Sequence, residues 1–280
     1  MSRALVLGGG GVAGIAWELG ILLGLHDAGI DLTGADRLVG TSAGSAVAAK
    51  VLGGVAVEKL YDGQLAPELL DSEIAADFDP EEMMREFGAA LAGTEPGPAM
   101  FRKLGEYALR AQTVAEPVRR AVIERRLPNY SWPDRDLRVV AIDAISGVPQ
   151  VFSRASGVDL VDAVAASCAV PGIWPPVTIG ASRYIDGGMR SVTNLDEAAG
   201  CDRVVVISPT SELPFVPPDV RAAEDEVRRT AAVCTITADE ESIAAMGANL
   251  LDPATARPAA QAGRAQAASH VAEVKAMWEG

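Results

Sequence analysis

Three short stretches of the sequence carry residue types suited to acyl transfer. Gly40-Thr41-Ser42-Ala43-Gly44 sets a serine between two glycines, a spacing that lets a hydroxyl stand exposed on a sharp strand-to-helix turn. Side chains at Gly40 or Gly44 are expected to strike the neighbouring strand and helix. The turn also brings Ser42 near a helix N-terminus, where backbone N–H groups favour negative charge. A serine hydroxyl is a poor nucleophile without a base, and the chain has only two histidines, His26 and His270. One sits near the end of the first helix and the other in an Ala-rich tail, settings that predict surface or helix-end residues. A carboxylate base is therefore favoured. Asp186, ahead of Gly187 and Gly188, is placed to project from a strand end into a site.

The remaining stretch is the run Gly8 to Gly11 with Gly14. Adjacent glycines let several N–H groups converge on one point, which suits an oxyanion hole, and Gly9, Gly10, Gly11 and Ala43 are the candidate donors. The same residues fit a second chemistry. Gly9-x-Gly11-x-x-Gly14 between a strand and a helix is the dinucleotide fingerprint, with Asp31 about twenty positions on. Asp31, however, follows a helix stop and a turn, whereas a ribose-binding carboxylate ends a second strand. On the loop alone a nucleotide-binding Rossmann-type protein and a hydrolase both stand. An α/β-hydrolase triad through His270 is a further alternative, though no loop signature supports that histidine.

The elements that must hold these residues can be read from the same rows. Ala4 to Leu7 is a short buried strand, and Val12 to Ala28 has helical apolar spacing that stops at Gly29. Arg37 to Val39 predicts a second strand, and small residues from Ser45 to Val51 predict a helix lying close against a sheet. Residues 57–127 read as a mainly helical, acidic insert that shapes or covers a site, with Asp79-Pro80-Glu81-Glu82 as a helix start. Strands are expected at Leu137–Ile142, Val151–Phe152 and Tyr184–Ile185, with Ser146-Gly147 as a turn and Asp159–Cys168 as a helix. Val204–Ile207 is the last clear strand, and the remainder reads as helical, including the tail after Gln261. Alternating strands and helices imply a mostly parallel central sheet covered on both faces, in one domain over residues 1–280.

Leu7-Gly8-Gly9-Gly10-Gly11-Val12-Ala13-Gly14-Ile15-Ala16, then Gly40 to Gly44, then Asp186-Gly187-Gly188, resembles the three-block signature of patatin-like phospholipases. Ala166 to Val177 is similar to the family's Ala-Ser-x-Ala-x-Pro segment ahead of the aspartate. Each block is weak alone; four in order are specific. The resemblance implies a three-layer α/β/α fold and a Ser42–Asp186 dyad with a glycine-loop oxyanion hole. It also implies hydrolysis of phospholipid or other acyl esters without a metal or organic cofactor. A non-catalytic lipid-binding relative is the alternative within the family. The family commonly has Arg or Lys where Ala13 stands and often histidine where Trp17 stands, a departure that implies weak activity or a preference for uncharged esters.

Composition narrows the partners. The formal net charge of -14 argues against nucleic acid and against electrostatic docking on anionic membranes. It leaves transient hydrophobic contact with a lipid surface open. Cys168, Cys201 and Cys234 have no CxxC spacing and read as buried free thiols in a reducing compartment. With no signal-peptide pattern and no 18-residue apolar run, the expectation is a cytoplasmic protein. The acidic residues Asp71, Glu73, Asp77, Asp79, Glu81 and Glu82 lack calcium-loop spacing and read as a solvated helix face. Trp174 is expected in the core, and the tail helix is expected to dock on its own domain.

Overall fold

The computed structural model describes residues 1–68, 73–76 and 79–280. Asp71 and Asp77 of the acidic cluster therefore lie outside the described residues.

The strand β1 (Arg3–Leu7) lies between two parallel neighbours, β2 (Arg37–Thr41) and β7 (Arg203–Ser208). The sheet runs β5-β6-β3-β2-β1-β7-β8, where β3 is Asp136–Asp143, β5 Val177–Ile179, β6 Ser182–Asp186 and β8 Ala232–Thr237; β4 (Pro149–Phe152) pairs with β3 off this path. The β2–β3 and β7–β8 pairs are parallel, while β3–β4, β3–β6 and β5–β6 are antiparallel.

Alternate side chains of β1 feed two cores. Leu5 and Leu7 pack with helix α1 (Gly11–Asp27), helix α2 (Ala43–Leu52) and the helix Leu160–Ser167. Ala4 and Val6 face Leu195, Ala198 and Val227, the last on the helix Pro218–Thr230. A strand covered on both faces reads as an uninterrupted apolar run, and three layers, α/β/α, are the result.

Helix α1 is buried along most of its length because it is wedged between the sheet and the helix Ala256–Ala267. A Cβ on Gly20 would come within 2.2 Å of the Ala260 carbonyl, and one on Gly263 within 2.3 Å of the Trp17 carbonyl. The Gly- and Ala-rich faces thus let two helix backbones approach closely, and the tail docks on its own chain as expected.

Between α2 and β3 the described residues form helices: α3 (Val57–Leu65), then Pro80–Leu91, Pro98–Arg110 and Glu116–Arg126. Asp79 caps the second of these by accepting from the N–H groups of Glu81 and Glu82. Phe87, Met100 and Phe101 pack this insert onto Ile142 and Ile185 of the sheet.

Several expectations need correction. The chain after Ile207 is not wholly helical, because β8 extends the sheet edge; its alternating burial reflects a strand covered on one face only. Glu73 is not on a solvated face: its carboxylate grips Arg126 through two hydrogen bonds of 2.7 and 2.6 Å, and the pair is buried. His270 is half-buried rather than exposed. All three cysteines, by contrast, are free and buried as expected. Among the described residues no helix is long and apolar enough to cross a membrane.

Candidate active site

The chain leaves β2 and turns at Ser42 with φ 52° and ψ −116°, an unusual conformation for a residue with a side chain. Such strain costs on the order of 1–3 kcal/mol and persists only where the surroundings over-determine it. Here the surroundings hold both sides of the peptide. The Ser42 N–H donates to Ser167 Oγ at 2.9 Å, and its carbonyl accepts from Ser45 Oγ at 2.7 Å and Cys168 Sγ at 3.3 Å. The flanking glycines are needed for space. A Cβ on Gly40 would sit 2.5 Å from Ser45 Cα in α2, and one on Gly44 only 2.1 Å from the Leu7 carbonyl of β1.

Asp186 ends β6, and sheet register aligns it with the serine. Thr41 pairs with Val140 and Asp186 with Ala141, so positions 42 and 186 stand level on either side of β3. Gly187 lets the chain turn away directly over β3, since a Cβ there would meet the Val140 carbonyl at 2.3 Å. The Gly188 N–H then donates to Asp186 Oδ1 at 2.7 Å.

Asp186 is buried, and its Oδ2 completes no hydrogen bond. Burial raises its pKa to about 7, against smaller lowering effects of the Ser42 hydroxyl and the Gly188 N–H. The hydroxyl is thus near enough to act on the carboxyl without being locked to it.

Asn194 ties the two arms together. Its side-chain amide donates to Thr41 Oγ1 at 3.0 Å, to the Ser191 carbonyl at 2.7 Å and more weakly to the Gly187 carbonyl at 3.3 Å. The residue before the serine and the residue after the aspartate therefore share one buried brace. Nothing in the local sequence around Asn194 signals this role.

The glycine loop joins β1 to α1 beside Ser42, with Gly11 at φ 64° and the Gly14 N–H donating to the Gly10 carbonyl at 2.7 Å. The Gly9 N–H donates to the Val192 carbonyl at 3.0 Å. It is therefore already engaged, which removes Gly9 from the set of free donors. Among the described residues the N–H groups of Gly10, Gly11 and Ala43 donate to no protein acceptor. All three residues line a cavity of about 240 Å³ together with Ser42 and Asp186.

The walls of that cavity are largely apolar, with Met83, Ile173, Leu213, Leu250 and Leu251 among them. Trp174 is buried, as expected, but it forms cavity wall rather than interior filling. Two cations of the insert, Arg119 and Arg126, also reach the cavity, and sequence reading missed both. Ala13 is buried with its N–H donating to the Leu250 carbonyl at 3.0 Å.

Neither histidine lines the cavity; His26 instead faces Glu58 at 3.3 Å. Asp31 is occupied in its own turn, accepting from the Thr33 N–H and hydroxyl at 2.9 and 2.6 Å.

No curated protein sequence matches the chain. Among solved structures it is similar to VipD from Legionella pneumophila, at 14% identity and TM-score 0.49, over 97% of this chain and 66% of that one. It is also similar to the type III effector protein ExoU, at 17% identity and TM-score 0.44, over 97% of this chain and 53% of that one. The ExoU of the Pseudomonas aeruginosa SpcU complex gives 16% identity and TM-score 0.41, over 93% and 52%. The chain thus spans between half and two thirds of the length of these proteins. The model of the family described as patatin-like phospholipase matches residues 5–199, which include the glycine loop, the serine turn and the aspartate. The chain belongs to the patatin-like phospholipase family.

Proposed function

We propose that the protein hydrolyses carboxylic esters of lipids through Ser42 and Asp186 by way of an acyl-enzyme. The observation that carries this reading is one cavity lined by a strained serine and a buried carboxyl with a pKa of about 7. Membership of a phospholipase family supports the lipid character of the ester, and the apolar walls suit an acyl chain.

In the first step Ser42 Oγ attacks the ester carbonyl while its proton passes to Asp186. The N–H groups of Gly10, Gly11 and Ala43 receive the developing oxyanion, and losing one such donor typically costs about 3 kcal/mol of barrier. Collapse breaks the ester C–O bond, and the leaving alkoxide takes the proton from Asp186. Water then attacks the acyl-enzyme, giving its proton to Asp186, and that proton returns to Ser42 as the free acid leaves. An aspartate can serve both directions because burial raises its pKa into the neutral range, where base and acid forms are both accessible.

The expected outcome is that Ser42→Ala and Asp186→Asn each lower the hydrolysis of p-nitrophenyl esters about a thousandfold or more, with thermal transitions as cooperative as the parent's. Turnover retained by either variant removes the dyad from the reaction.

A further inference from the structure

Among the described residues, one cation of the cavity forms no ion pair with any carboxylate. Arg119, on the helix Glu116–Arg126, is only 5% exposed, yet its Nε and Nη1 have no hydrogen-bond partner. Its guanidinium lies over the Trp174 ring, with Cζ 3.7 Å from the ring centroid, and both residues line the cavity that holds Ser42. Stacking fixes the plane of the group before any ligand arrives, which reduces the ordering cost of binding.

The neighbours do not neutralise it. Arg126, two turns along the same helix, is spoken for by Glu73 through a bidentate pair. Lys50 is buried in the same cluster, so among the described residues Lys50, Arg119 and Arg126 act on the single carboxylate of Glu73. Burial, followed by repulsion from Arg126, lowers the Arg119 pKa to about 9, which still leaves it cationic at neutral pH. A buried, unpaired cation with unused donors is costly unless something supplies acceptors. An oxyanion entering the cavity would do so.

We propose that Arg119 is the anion-recognition residue of the Ser42 cavity, binding the phosphate of an acyl-ester lipid whose apolar chain lies along the cavity wall. This rests on the acyl-hydrolase reading of the cavity and narrows its substrates from esters in general to anionic lipid esters. Trp174 is the positioning residue beneath the guanidinium.

Binding can be read without turnover. Isothermal titration of the Ser42→Ala protein would use octyl phosphate, 1-octanol and inorganic phosphate as probes. Octyl phosphate is expected to bind about tenfold or more tightly than octanol, since hydrogen bonds to charged groups are worth at least that factor. Arg119→Met should bring the ratio close to one, while Arg119→Lys, which keeps the charge and loses the planar stack, should retain only part of it. If Arg119→Met gives no cooperative melt, the partial loss in Arg119→Lys decides the matter. Equal affinities for octyl phosphate and octanol, or a phosphate preference that survives both replacements, overturns the proposal. Inorganic phosphate binding as tightly as octyl phosphate also overturns it, because the site would then take a free anion and not a lipid head group. A fluorophosphonate that fails to label Ser42 would sink the hydrolase reading instead, and the two failures are separable.

Discussion

In the proposed reaction Ser42 and Asp186 divide the work, and neither His26 nor His270 lines their cavity. Burial is the larger influence on the aspartate and raises its pKa to about 7. The consequence for rate has a definite sign. Asp186 must be ionised to take the serine proton, so kcat/KM should climb with unit slope from acid pH and level off above about pH 7. A profile already flat from pH 5 upward would mean that the carboxyl is not the base, or that it is far better solvated than the structure has it. The serine, the aspartate and their glycines were legible in the sequence because each belongs to a short block whose residue types have a steric or chemical reason. The engagement of the Gly9 N–H has a cause no local pattern contains. That N–H is taken by the Val192 carbonyl, which lies far along the chain. Arg119 was invisible for the same kind of reason, as an arginine on a polar helix shows nothing of the tryptophan it will stack on.

At the level of elements, the site depends on how closely β1, β2 and α2 approach. Gly44 lies against the Leu7 carbonyl, and its N–H donates to the Gly8 carbonyl at 2.9 Å. Gly44→Ala must therefore push α2 away from β1, distorting both the serine turn and the glycine loop. Overpacking of this kind typically costs about 1–3 kcal/mol. We expect a lower thermal midpoint together with a fall in kcat larger than any change in KM, read by calorimetry and ester kinetics on the same preparation. Full activity in Gly44→Ala would show that the elbow tolerates what the geometry forbids. The core strands β1, β2, β3 and β7 were readable because apolar runs bounded by glycine and turn residues have few other readings. The edge strand β8 was not, because Ala232–Thr237 alternates buried and exposed positions over only six residues before a helix.

Across the whole molecule, charge is distributed against expectation in two places. The sequence carries a net charge of -14, yet the Ser42 cavity is bordered by Arg119 and Arg126. Overall acidity therefore says little about which substrates the cavity accepts. The second place is Glu18 in α1, fully buried with both carboxyl oxygens unpaired. Burial raises its pKa well above the usual carboxylate range, against a small lowering influence of the Gly8 backbone, whose N–H donates to the Ile207 carbonyl. The folded protein thus holds a proton on Glu18 at pH values where the unfolded chain has released it. Stability from this group is full below the ordinary glutamate pKa and declines as pH rises toward the raised value. Glu18→Gln removes that dependence, so its thermal midpoint should gain on the parent's progressively between pH 5 and pH 8. A constant offset across that range would indicate that Glu18 titrates normally.

The most direct test of the account is the site and pH dependence of covalent labelling by a fluorophosphonate, located by peptide mass spectrometry. The account predicts one adduct, on Ser42, forming faster as pH rises through about 7 and nearly absent in Asp186→Asn. Labelling of another residue, or equal labelling of Ser42 in Asp186→Asn, would contradict it.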